Sequence, residues 1–147
     1  MEFKILRYND IDSLLIFLRK IDREFATPLS QKTNLFDYCE KLLTKGIVIA
    51  VLEANEIVSC RAFYCNDANN GIAYGSMMGT LPKAQGKGFA RFLIKEMMRI
   101  CKQNGARCII SSSVNPKAIS LYKSIGYKVI QEDIIGNVKK ETLQLDL

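Results

Sequence analysis

The chain predicts a mixed α/β fold: one mixed β-sheet with helices on both faces, in the order β-α-α-β-β-β-α-β-α-β-β. Three observations carry this prediction. Apolar residues switch along the chain between strand-like runs and the three- and four-residue spacing of amphipathic helices. The middle strands are joined by short turns, which implies an antiparallel meander. The strands flanking the strongest helix are joined only through it, which implies a parallel pair reached by a right-handed crossover. No repeat, low-complexity tract or linker divides residues 1–147, so a single domain is expected.

Phe3 to Arg7 alternates as a strand does. Asn9 or Asp10 can cap the helix that follows, in which Ile11, Leu14, Leu15, Leu18, Ile21 and Phe25 form one apolar face, and Thr27-Pro28 breaks it. A second helix starts near Thr33 or Asn34, buries Leu35, Cys39, Leu42 and Leu43, and stops at Gly46, a residue suited to the left-handed position after a helix. Ile47 to Leu52 and Ile57 to Tyr64 are strands about a Glu53–Glu56 turn. Asn66 to Gly71 is a loop, and Ile72 to Thr80 is the next strand. Pro82 ends it. In the helix after the glycine-containing loop, Phe89, Phe92, Leu93, Met97, Ile100 and Cys101 oppose Arg91, Lys95, Arg99 and Lys102, and Gly105 closes it. Arg107 to Ser113 is a strand. Asn115-Pro116 opens a short helix burying Ala118, Leu121 and Tyr122, and Gly126 ends it. Tyr127 to Gln131 and Val138 to Leu145 pair about Gly136-Asn137.

Composition excludes several chemistries. The chain has no histidine, which removes Ser-His and Cys-His nucleophilic designs and any Cys/His zinc site. Its five cysteines include no C-x-x-C pair, so no metal is expected and the thiols read as small buried hydrophobes in a reducing compartment. No apolar run is long enough to span a bilayer, and Met1-Glu2-Phe3-Lys4 does not begin a signal peptide. A cytoplasmic protein without a membrane partner is expected. The net charge of +6 invites a polyanionic partner, but the basic residues form no long run, and a phosphate-rich cofactor explains them as well as nucleic acid does.

The chemistry concentrates between Leu81 and Tyr127. Gln85-Gly86-Lys87-Gly88-Phe89-Ala90 stands between a strand and a helix, where unpaired N–H groups and the positive end of the helix dipole can hold phosphate, with Lys87 and Arg91 nearby. A Walker loop would need the Gly-Lys-Ser/Thr string, which is absent. A dinucleotide fingerprint would need Gly or Ala where Arg91 stands and an acid ending the next strand, which ends in serines.

The segment resembles the GCN5-related N-acetyltransferase (GNAT) superfamily. Its cofactor-loop pattern Q/R-x-x-G-x-G/A is met by Gln85, Gly88 and Ala90. Its downstream pattern N-x-x-A-x-x-L-Y-x-x-x-G-F/Y is met by Asn115, Ala118, Leu121, Tyr122, Gly126 and Tyr127. The resemblance implies the acyl-CoA N-acyltransferase fold and an acetyl-CoA-dependent transfer to an amine. It implies that the backbone of Gln85, Gly86, Lys87, Gly88, Phe89 and Ala90 binds the CoA pyrophosphate. Met78 and Thr80 would bond the pantetheine arm through their main chains, in a gap between splayed fourth and fifth strands. Asn115 would contact the arm or order the splay, and Tyr122 would protonate the departing thiolate. Dimerisation through the C-terminal strands is common in the superfamily and is left open here.

Where relatives carry a Glu on the fourth strand, this one reads Tyr74-Gly75-Ser76-Met77-Met78. Asp67 and Glu53 are alternatives, and a water relay past Ser76 is the preferred route for the amine proton. The acceptor is expected among the first two helices, the Asp22–Pro28 linker and the Tyr64–Asp67 segment. A small polar amine, such as an amino sugar or polyamine, is favoured over a protein N-terminus or lysine. The rival readings are a noncatalytic acyl-CoA sensor and a small nucleic-acid-binding protein.

Overall fold

The computed structural model describes residues 1–25, 27–67 and 69–147. Ala26 and Ala68, in the predicted linker and loop, lie outside the described residues. In chain order the elements are β1 (Glu2–Ile5), α1 (Ile11–Ile21), α2 (Leu35–Lys45), β2 (Ile47–Glu53), β3 (Glu56–Asp67), β4 (Ile72–Thr80), α3 (Phe89–Gln103), β5 (Cys108–Ser113), α4 (Pro116–Ile125), β6 (Lys128–Ile135) and β7 (Val138–Asp146). The predicted order holds. The strands form one seven-stranded sheet in the order β1-β2-β3-β4-β5-β7-β6, antiparallel except for the β4–β5 pair.

Both faces of the sheet are covered, because successive residues of a strand point to opposite sides. Cys60 pairs with Gly79, which lies against Phe17 and Ile21 of α1. On the other face, Arg61 reaches Met97 of α3 and Tyr122 of α4. No helix of the described residues is long and apolar enough to cross a membrane.

Several local expectations are corrected. Asp10 does not cap α1 with its side chain. Its carboxylate turns back to accept from the Arg7 N–H and Lys4 Nζ, both at 2.8 Å. Helix α1 ends at Ile21, before Thr27-Pro28, in a 3-10 turn at Asp22–Glu24. Its buried set includes Phe17, and that of α3 includes Ile94; both lie beside the predicted stripes and widen them. Asn34 and Asn115 do cap α2 and α4, accepting from the Asp37 and Lys117 N–H groups. Gly46 is extended (φ −115°) rather than left-handed. A Cβ there would stand 2.9 Å from the Phe63 carbonyl oxygen and 3.1 Å from the Tyr64 ring, so close approach calls for glycine. Of the cysteines, Cys39, Cys60 and Cys101 are buried and Cys65 and Cys108 partly so. Burial pushes the Cys39 thiol up to about 11 and the Cys101 thiol up to about 12.

Two irregularities in β4 shape everything that follows. Ala62 pairs with Met77 and Phe63 with Gly75, so Ser76 is the extra residue of a bulge. The parallel ladder to β5 covers only Ile72–Tyr74 against Cys108–Ile110, and beyond it the strands part. At that fork Arg61 reaches from β3 over Gly75 to Ser111 on β5, with Nη2 to Oγ at 2.9 Å. A Cβ at position 75 would collide with Arg61 Nη2 and Ser111 Oγ. Gly75→Ala is therefore expected to destabilise the protein by about 1–3 kcal/mol, the usual cost of overpacking. Denaturant melts would check this, and an unchanged midpoint would mean that the fork yields at no cost.

Candidate active site

Two clefts meet where β4 and β5 diverge. The first, about 820 Å³, runs from Met78, Gly79 and Thr80 along the Gln85–Arg91 loop to Asn115, Pro116, Lys117, Ala118 and Leu121. The second, about 640 Å³, is lined by Ser76, Met77, Tyr122, Arg61 and Ser112–Asn115, by Tyr38 and the α1–α2 segment, and by Ile135, Val138 and Lys140 of the last hairpin. Glu24, Phe25, Met78, Asn115 and Ala118 border both.

The first cleft is built from backbone. Gly86 and Gly88 take φ of +81° and +83°, which glycine adopts without strain, and nothing lies within 4 Å of where a Cβ would stand. Among the described residues the N–H groups of Gly86, Lys87 and Gly88 meet no acceptor, and the first turn of α3 adds its own free donors. Such a row of donors at a helix start suits an anion, so the residues present fit a pyrophosphate. Gln85 has a different task. Its Nε2 donates to the Thr80 carbonyl at 3.1 Å and ties the loop to the end of β4. Lys87 turns away from the cleft to Glu53, 3.3 Å from both carboxylate oxygens, with its ammonium 5.9 Å over the Phe89 ring. Arg91 lines the cleft and donates to Ser124 Oγ at 2.9 Å.

Tyr122 and Ser76 border the second cleft and not the first. Tyr122 is 3% exposed, and its hydroxyl oxygen accepts from Arg61 Nη1 at 3.0 Å. A phenol that accepts from a guanidinium must direct its own proton elsewhere. Arg61 is 1% exposed, is bonded to Tyr122, Ser111 and Met97 Sδ, and among the described residues has no carboxylate partner. Burying a charge without a counter-ion costs several kcal/mol. Ser76, projected by the bulge, is exposed on the cleft wall. Burial pushes the Tyr38 and Tyr64 phenols up, and the Ser76 hydroxyl beside them pulls the other way. Asn115 Oδ1 is taken by the Lys117 N–H, which leaves its amide N–H₂ free toward the clefts.

Other expectations fail or shift. Glu53 holds Lys87, and Asp67 closes its own turn by accepting from the Asn70 N–H and Nδ2; neither borders a cleft. The Tyr64–Asp67 segment does not line the second cleft, to which Ile135, Val138 and Lys140 of the last hairpin contribute. Arg61 belongs to neither sequence motif; its signal in the sequence is a lone charge inside the apolar run from Ile57 to Tyr64.

The Tyr127 ring packs on Tyr122 at 4.9 Å between centroids. Burial pushes its phenol up to about 12, and among the described residues its hydroxyl has no hydrogen-bond partner. Ser111 lies near it but bonds Arg61. Tyr127→Phe should therefore hold or raise stability, by up to about 1 kcal/mol. A clear drop in melting temperature would reveal a partner for that hydroxyl.

A family model for the acetyltransferase (GNAT) domain matches residues 44–129, more than half of the chain. Comparison with curated proteins by sequence finds no match. Among solved structures, a GCN5-related N-acetyltransferase from Kribbella flavida superposes with a TM-score of 0.80 at 19% identity, covering 99% of this chain and 97% of that one. A ribosomal-protein-alanine N-acetyltransferase from Brucella melitensis gives 0.79 at 15%, covering 100% of both. The yncA protein of Salmonella typhimurium, solved with its cofactor acetyl-CoA, gives 0.77 at 17%, covering 100% and 94%.

Proposed function

Because the chain belongs to the GNAT acetyltransferase family, we propose that it transfers the acetyl group of acetyl-CoA to the primary amine of a small molecule, with Tyr122 as general acid. The observation that carries this reading is the meeting of two clefts at the β4–β5 fork, one lined by backbone donors and one by side chains. Acetyl-CoA supplies an activated thioester, whose thiolate leaves more readily if it is protonated. The Gly86–Ala90 backbone holds the pyrophosphate, with Arg91 and Lys117 on the same wall. The main chain of Met78 and Thr80 lines the path of the arm, and the free amide of Asn115 faces it.

Tyr122 borders the second cleft beside Met78, Asn115 and Ala118, which border both. Held through its oxygen by Arg61, it keeps its proton for the sulfur. Among the described residues Glu24 is the one carboxylate on either cleft wall. It takes the proton of the incoming ammonium, directly or through water past Ser76.

Tyr122→Phe should lower kcat by about ten-fold or more, within the usual range for a general acid, and leave acetyl-CoA affinity unchanged. Release of free CoA thiol across a panel of amino sugars, polyamines, amino acids and peptides measures this. Unchanged turnover removes Tyr122 from the mechanism. Tight acetyl-CoA binding with no release for any amine favours an acyl-CoA sensor instead.

A further inference from the structure

We infer that the acceptor amine carries an oxyanion, a carboxylate or a phosphate, and that Lys32 and Lys140 bind it; this rests on the acetyl-transfer reading above. The second cleft, about 640 Å³, has the size of a small-molecule site. Three cations border it: Lys32 beyond the α1–α2 segment, Lys140 on β7, and Arg61 beneath Tyr122. Against them, among the lining residues, stands Glu24 alone; Asp133, opposite Lys140 in the β6–β7 ladder, is outside the lining and accepts from Gln131 Nε2. Among the described residues none of the four lining groups is in an ion pair. The neighbouring acid Glu141 is buried and is held by Lys123 and Lys139, so it does not neutralise Lys140.

The charges are also divided between the clefts. Glu24 borders both, where on the acetyl-transfer reading acyl group and amine meet. Lys32 and Lys140 border the second cleft and not the first. An amine entering with its nitrogen toward Glu24 therefore leaves its far end among lysines. A carboxylate or phosphate there gains charge-assisted hydrogen bonds. A second ammonium there meets like charge, with Arg61 adding to the repulsion from the floor of the cleft. The geometry selects a dipolar acceptor and rejects a polyamine.

The test compares amines of one length that differ only at the far end: 4-aminobutyrate, butylamine and 1,4-diaminobutane. O-phosphoethanolamine against ethanolamine, and glucosamine 6-phosphate against glucosamine, form the phosphate arm. Thiol release gives kcat/KM, and calorimetric binding to the CoA-loaded protein gives an affinity that needs no turnover. In at least one arm the anionic member should exceed its neutral partner by roughly ten-fold, one ion pair's worth, and the diamine should rank last. That preference should weaken in high salt and collapse in the Lys32→Glu/Lys140→Glu double variant, with folding verified by its melting curve. A best substrate that is neutral or dicationic, or a double variant with its preference intact, overturns the inference while acetyl transfer stands. Anion-selective binding without thiol release for any amine retains this site and sinks the catalytic reading.

Discussion

A buried guanidinium stands where the sheet divides. Strands β4 and β5 pair for three residues each and then part, and the space between them must be filled without restoring the ladder. Arg61 fills it from the next strand over, crossing β4 where Gly75 has no side chain and fastening to Ser111 on the far side. An apolar side chain of similar length would fill the same space without the desolvation cost of a charge. What the charge adds is its grip on the Tyr122 oxygen, which orients that phenol on the cleft wall. Packing at the fork and, in the proposed mechanism, proton delivery at the site thus rest on the same side chain.

How much of this could be read from the sequence depends on the range of each interaction. The bounds of β4, the Asn34 and Asn115 caps and the glycine loop follow from residues within a turn of one another, and they stand where the chain predicts them. Phe17 and Ile94 were overlooked because a helix wedged against a sheet and a second element buries more than one stripe. Gly46 was assigned the wrong reason, since its constraint comes from Phe63 and Tyr64 on another strand. Arg61 and Tyr122 are 61 positions apart. No local pattern joins them, and the lone charge in an apolar strand announces only that a partner must exist.

The basic excess of the chain resolves in the same way. Part of it lines the first cleft at Arg91 and Lys117, where a polyphosphate cofactor accounts for it. Part is held in surface pairs, as with Lys20 and Lys83 on Glu56, or turned aside, as with Lys87 on Glu53. Lys32, Lys140 and Arg61 are in no ion pair among the described residues, and all three border the second cleft. A net charge of +6 says little about partners until it is divided among places.

The two halves of the site use different chemistry, and this explains why one half is legible and the other is not. The first cleft is made of backbone N–H groups, so its sequence requirement is conformational: glycines at positive φ, a helix start, and Gln85 to tie the loop down. Such a requirement leaves a short motif. The second cleft is made of side chains from the α1–α2 segment, α2, β3, β4, β5, α4 and the β6–β7 hairpin, and no local backbone conformation dictates which side chains these are. Nothing in its own neighbourhood marks Lys140 as a site residue; only the pairing of β7 with β5 brings it to the cleft. On the proposed reading, selectivity for the acceptor resides in residues that register across the sheet, and not sequence motif, brings together.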